Sequence, residues 1–176
     1  MHALSRDELR ALLSAARAQR ERDWLMILVA FHHGLRASEV TGITADAVID
    51  GHLTVQRLKG SNKTTQALVA HVDPLLDERD ALIEFARKSM PGQPVFGVGR
   101  VQFWRLMRKY AKAAGIPQHK AHPHVLKHTI AMQTIGSAGV ENVRQHLGHK
   151  SLSSTGEYLR VSDEAASEAI SKALKV

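Results

Sequence analysis

The stretch AVIDGHLTVQRLKGSNKTTQALVA, residues 47–70, interrupts a helical pattern and decides the fold class. Ala47 to Asp50, Leu53 to Leu58 and Gln66 to Ala70 carry β-branched or alternating residues. Asp50-Gly51 and Gly60-Ser61-Asn62 separate them as turn signals. The reading is a small three-stranded antiparallel sheet. Upstream, Ser5-Arg6-Asp7-Glu8 is a capping-box pattern that opens an Ala/Leu-rich helix to about Ala18. Asp23 to His33 reads as a buried helix stopped by Gly34, and Ala37 to Ile43 as a short helical segment. Downstream, helices are expected over Leu75 to Lys88, Val101 to Ala114, a segment starting at Pro123, Val140 to Leu147, Ser154 to Arg160 and Asp163 to Leu174. The expected architecture is therefore α+β: mainly α, with one small sheet inserted in the first half of a single domain spanning 1–176.

Bulk properties narrow the function classes. The chain has 176 residues, a 44% apolar fraction and no cysteine, so it can bury a core but forms no disulfide, thiolate or cysteine-zinc site. Its most apolar stretch, Trp24 to Phe31, is too short to span a bilayer, and no signal-peptide pattern starts the chain. A cytoplasmic setting fits. The net charge of +7 favours an anionic partner, with nucleic acid ahead of a membrane surface because no basic amphipathic helix stands out.

Four segments hold residues suited to chemistry. HPHVLKH, residues 122–128, places His124 and His128 one helical turn apart, a spacing that suits zinc. No carboxylate or cysteine nearby supplies a third ligand, and His128 falls in line with Ala131 and Ile135 as a packed residue. The other reading is a clamp for an anion: His124 and Lys127 offer N–H donors in a first helical turn whose backbone N–H groups already favour phosphate. LGHKSLSSTGEYL, 147–159, sets His149 nine residues before Tyr158. FHHGLRASEV, 31–40, puts Arg36 after a helix-ending glycine with Glu39 three residues on, and RLKGSNK, 57–63, is a basic turn between strands.

In this order and at these separations, GLRASE, LKGSNK, HVLKH, LGH and Tyr158 resemble the catalytic domain of the tyrosine recombinase (phage integrase) family, over about Leu4 to Ala169. FHHGLRASEV followed by QRLKG looks closest to the short recombinases that invert fimbrial promoter segments. The resemblance implies the fold of a DNA breaking-rejoining enzyme, here without an N-terminal core-binding domain. It implies strand cleavage through a 3′-phosphotyrosine link with no metal or cofactor. Tyr158 would be the nucleophile, and Arg36 would hold the non-bridging phosphate oxygens. Lys59 would be the general acid at the leaving oxygen, with Lys63 as fallback. His124 would contact the phosphate and assist proton transfer from Tyr158, His149 would hydrogen-bond the phosphate, and Glu39 would orient the Arg36 segment. The partner would be double-stranded DNA, bound by a homotetramer when two sites synapse and by a monomer or weak oligomer otherwise. The Asp163–Val176 helix would be the docking element.

One position departs from the family pattern. Lys127 stands where the family's H-x-L-R-H motif has its second arginine, keeping the charge but losing the bidentate fork. Loss of one transition-state donor costs on the order of a hundredfold in rate in other enzymes. The alternative expectation is thus a catalytically impaired member of the same fold that binds DNA in a regulatory role.

Overall fold

The computed structural model describes residues 2–58, 60–156, 158 and 163–174. Helix α1 (Arg6–Gln19) begins with the expected box: Ser5 Oγ accepts from Glu8 N at 3.0 Å, and Glu8 Oε2 accepts from Ser5 N at 2.7 Å. Helix α2 (Glu21–His32) is buried from Asp23 through Phe31 and forms the centre of the core, against which α1 and α6 (His124–Ala138) pack. A helix apolar on every side must be enclosed on every side. Its one buried acid, Asp23, accepts the Tyr110 hydroxyl at 2.6 Å and Arg22 at 2.7 Å.

Helix α3 (Ala37–Thr41) leads to the sheet, order β1-β2-β3: β1 (Val48–Ile49), β2 (His52–Val55) and β3 (Thr64–Ala67), antiparallel throughout. The pairing Val55↔Thr64 is the last before the β2–β3 turn. Strand β2 thus stops short of the expected Leu58, β1 is two residues long, and β3 begins at Thr64, ahead of the expected Gln66, and ends at Ala67. Helix α4 (Arg79–Lys88) also starts later than Leu75. Asp73 Oδ1 accepts Leu75 N at 2.9 Å, and Leu75 O accepts the Trp24 indole N–H at 2.9 Å, so this backbone is held in a turn. Helices α5 (Arg100–Ala113), α6, α7 (Val140–His146), α8 (Ser153–Gly156) and α9 (Asp163–Leu174) complete the described chain. Within the expected 154–160 helix, 157 and 159–160 lie outside the described residues, as do 175–176 of the expected docking helix. Ile170 and Leu174 on α9 are exposed. No helix among the described residues is long and apolar enough to cross a membrane.

Helix α5 corrects one expectation. Phe103, Leu106, Met107, Tyr110 and Ala111 are buried, while Arg100, Arg105, Arg108, Lys109 and Lys112 are exposed. It is a basic amphipathic helix. The basic residues are scattered one or two at a time through the sequence, so only the helical arrangement collects them on the outer surface.

A buried polar knot joins α2 to the β3–α4 link. Glu78 is fully buried; its Oε1 accepts His33 Nε2 at 2.6 Å and Val69 N at 3.0 Å, and its Oε2 meets His32 Nδ1 at 3.0 Å. Burial alone would raise this carboxyl, but the bonds and charges of His32 and His33 outweigh it and hold the pKa at about 2. A carboxyl lowered from 4.5 contributes stability that is fully present above pH 4.5 and is lost as pH falls toward 2. Urea denaturation at pH 6 and pH 3 is therefore expected to show a steeper acid loss for the wild type than for Glu78→Gln. Equal losses would refute the assignment.

Candidate active site

The site begins at the end of α2. Gly34 has φ +58, and a Cβ there would stand 2.5 Å from Leu147 Cδ2, so neither the backbone conformation nor the space suits a side chain. The turn delivers Arg36 in extended conformation at the start of α3. Glu39 reaches back to it: Oε2 accepts Arg36 N at 2.8 Å and Oε1 accepts Arg36 Nη1 at 3.0 Å. Oε1 also accepts Leu58 N at 3.1 Å, and Oε2 accepts Arg57 Nη1 at 3.3 Å. Burial pushes the Glu39 carboxyl up, but the Arg36 and Leu58 amides and the charges of Arg57 and Lys127 leave it net lowered. The expected orienting role of Glu39 thus takes the form of a buried, ionised anchor shared by α3 and the β2–β3 turn.

Arg57, treated above only as part of a basic turn, is a buried hub. Its guanidinium donates to Thr64 Oγ1 at 2.9 Å, His33 O at 2.8 Å, Gly34 O at 3.1 Å and His146 O at 3.1 Å, besides Glu39. A legible signal lay in the alternation Leu53, Val55, Arg57, all three inward and buried. The turn is tied to α7 from its other side as well. Asn62 N donates to Gly148 O at 2.9 Å, and a Cβ on Gly148 (φ +71) would meet Arg57 Cγ at 2.9 Å and Asn62 O at 3.0 Å. The glycine of LGH is what lets the two segments close up.

Lys127 lies on α6 with 1% of its surface exposed, its Nζ donating to Leu147 O at 3.1 Å. Burial first, then the charges of Arg36 and Arg57, lower its pKa to about 7 against the opposing pull of Glu39. His149, just past Gly148, is buried, with Nδ1 3.0 Å from Thr155 Oγ1. Burial, followed by Lys127, Arg36, Arg57 and Arg144, lowers its pKa to about 4 and keeps the ring neutral at pH 7. With the Thr155 hydroxyl as donor, the ring proton sits on Nε2, where it can be given to an anion.

His124 is exposed at the start of α6 and shares with Arg36 a cleft of about 660 Å³, also lined by Leu58, Arg100, Trp104 and His122. One turn on, His128 departs from its expected role as a packed side chain. It is half-buried, its ring stands edge-on to His124 at 4.4 Å, and its Nδ1 lies 2.8 Å from the Tyr158 hydroxyl. Tyr158 itself is buried against Ala131, Val143 and Leu147. Helical spacing flagged His128 as apolar-facing; that face turns out to be where the tyrosine docks. Lys59 lies outside the described residues, and Lys63 is exposed beside the turn.

Arg36 and Arg57 thus stand close enough to Lys127 to act on it, with Glu39 as the opposing carboxylate for both Lys127 and Arg57. The cluster has surplus positive charge beside two imidazoles held neutral and a tyrosine hydroxyl. Such a set is matched to a bound phosphate and a nucleophile next to it. Among the described residues no three His, Asp or Glu side chains converge as a metal site.

A family model described as the phage integrase family matches residues 2–165. A tyrosine recombinase of Pseudothermotoga lettingae is 30% identical over 160 residues, covering 88% of this chain and 55% of the relative. The tyrosine recombinase XerA of Pyrococcus furiosus is 28% identical over 180 residues, covering 97% and 61%. The chain therefore spans less than two thirds of the length of these relatives. Among solved structures, XerA recombinase superposes with a TM-score of 0.74 at 22% identity, covering 98% of this chain and 63% of that one. A lambda integrase dimer bound to a COC′ core site superposes with a TM-score of 0.71 at 20% identity, covering 92% and 49%. The fold, the order of its motifs and the extent of the family match agree: this chain belongs to the phage integrase family, the tyrosine recombinases.

Proposed function

We propose that the chain is the strand-cleaving and rejoining domain of a site-specific DNA recombinase. The observation that carries this reading is the surplus of positive charge that α3, the β2–β3 turn and α6 gather around Lys127, next in the chain to the His128 that meets the Tyr158 hydroxyl. In this reading Tyr158 Oη attacks a backbone phosphate and the 5′-oxygen leaves. Arg36, lining the cleft, holds the non-bridging oxygens, and His149 donates from Nε2. His124 meets the phosphate from the α6 N-terminus, whose backbone amides favour an anion. Lys127 contributes charge and supports the Leu147–His149 turn. The general acid is assigned to Lys59. The basic outer face of α5, which shares Arg100 and Trp104 with the cleft, suits a DNA backbone running past the site. Solved relatives include a lambda integrase tetramer bound to a Holliday junction and a XerH recombinase bound to its difH substrate in a pre-cleavage complex. A tetramer on two DNA sites is the matching proposal for this chain.

The test uses duplexes carrying the cognate site, obtained by selection from a random library, with a nick beside the scissile phosphate. Wild-type protein is expected to become covalently attached to the DNA. Tyr158→Phe is expected to form no adduct while changing DNA affinity by less than about threefold, because cations supply most of the binding. Absence of an adduct from wild type on its selected site would sink the enzymatic reading.

A second reading rests on Lys127, which is buried and committed to the Leu147 carbonyl. It makes the chain a DNA-binding member with impaired chemistry. An adduct from Lys127→Arg and none from wild type would select it.

A further inference from the structure

The phenol of Tyr158 must lose its proton as its oxygen attacks, and an unperturbed phenol has a pKa of about 10. Something close to Oη has to take that proton. His124 was the expected helper, yet the ring nitrogen in contact with Oη belongs to His128, at 2.8 Å, with ring centroids 5.7 Å apart. The His128 ring also makes a T-shaped contact with His124, centroids 4.4 Å apart.

We propose that His128 is the base of the cleavage step, a role that rests on the recombinase reading above: its Nδ1 accepts the Tyr158 proton as the phosphotyrosine bond forms. The step balances. The Oη–P bond forms, the P–O5′ bond breaks, the phenolic proton passes to Nδ1, and the leaving oxygen takes its proton from the acid assigned to Lys59. In the rejoining direction the imidazolium returns the proton to Oη.

Three features of the surroundings fit. Burial, followed by the charges of His124, His122 and Lys127, lowers the His128 pKa to about 4, so at neutral pH the ring is in the form able to accept. With the Tyr158 hydroxyl as donor to Nδ1, the neutral ring carries its own proton on Nε2. A bound phosphate then supplies the missing negative charge and favours the imidazolium that the step creates. Burial and the like charges that keep the ring neutral before DNA arrives are offset in part once the phosphate sits among them.

Asparagine at 128 keeps an acceptor near the place of Nδ1 but cannot take a proton. On the nicked duplex, His128→Asn is expected to slow adduct formation about a hundredfold or more with DNA affinity unchanged. Replacing Tyr158 with 3,5-difluorotyrosine, whose phenol ionises more readily, is expected to narrow the gap between His128→Asn and wild type. A merely structural role for His128 would leave that gap unchanged. Adduct formation by His128→Asn at the wild-type rate, or a gap that fluorination does not narrow, overturns the proposal. A separate measurement needs no DNA cleavage: imidazole nitrogen NMR of the DNA-free chain at pH 7 is expected to find Nδ1 of His128 unprotonated. A protonated Nδ1 overturns the proposal even if cleavage is normal. Failure of wild type to form any adduct while Nδ1 reads as unprotonated would instead count against the recombinase reading and, with it, this role.

Discussion

Glu39→Leu is expected to destabilise the chain by about 3–5 kcal/mol, the range for breaking a buried charge pair from one side. The Glu39 side chain is fully enclosed, and so is that of Arg57. Leucine removes the acceptor for Arg36 N, Arg36 Nη1, Leu58 N and Arg57 Nη1 at once. The Arg57 guanidinium would then remain in the interior near Arg36 and Lys127 with no opposing carboxylate from this pair, still satisfied only by neutral oxygens. Because the Glu39 carboxyl is lowered from 4.5, its contribution is present above pH 4.5 and declines below it. The difference between wild type and Glu39→Leu is accordingly expected to shrink in acid. Urea denaturation at pH 7 and pH 4 measures both. A loss below about 1 kcal/mol at pH 7 would mean that Glu39 acts as a surface ion pair, not as a buried anchor. The same substitution frees Arg36 from α3, so DNA cleavage is expected to fail even under conditions where the protein stays folded.

The parts of this site that were legible in the sequence are those set by local rules. The Ser5 box, the all-apolar α2, the interruption by three strands and the order of the five motifs follow from near neighbours. The parts that were not legible come from segments meeting across the fold. Arg57 sits in a turn whose composition reads as solvated, and only the packing of α2, α7 and β3 around it turns it inward. His128 has an apolar-face position, and what covers it is a tyrosine thirty residues away. The start of α4 shifted because the Trp24 indole, from α2, takes a carbonyl in the preceding turn. Arg57 did carry a period-two signal and the turn before α4 a local Asp73–Leu75 bond, but the partners that complete all three arrangements lie far off in the sequence.

Lys127→Met is expected to make the chain more stable while removing its chemistry. Burying an ammonium costs hydration, and here the nearest charges include Arg36 and Arg57, which add repulsion that Glu39 does not cancel. The folded state therefore binds the Lys127 proton more weakly than the unfolded state does, with a pKa of about 7 against 10.5. Between those values the unfolded chain holds more protons, so wild-type stability rises with pH. Below pH 7 the destabilisation is present in full, and by pH 10.5 it has faded. Methionine fills a similar volume without a charge, and the expected gain at pH 6 is about 1–4 kcal/mol, falling toward zero in alkali. Denaturation of both proteins across this pH range measures it, and a methionine variant less stable than wild type at pH 6 would show that the Leu147 carbonyl bond outweighs the burial. Adduct formation on the nicked duplex is expected to drop at least about a hundredfold, the scale for losing one transition-state donor. Stability and activity would then move in opposite directions at a single residue. That is the behaviour expected of a cation kept in the interior for the sake of an anion the free protein lacks. In the recombinase reading proposed above, Lys127 costs stability until a phosphate binds beside Arg36, and that binding is expected to restore its proton.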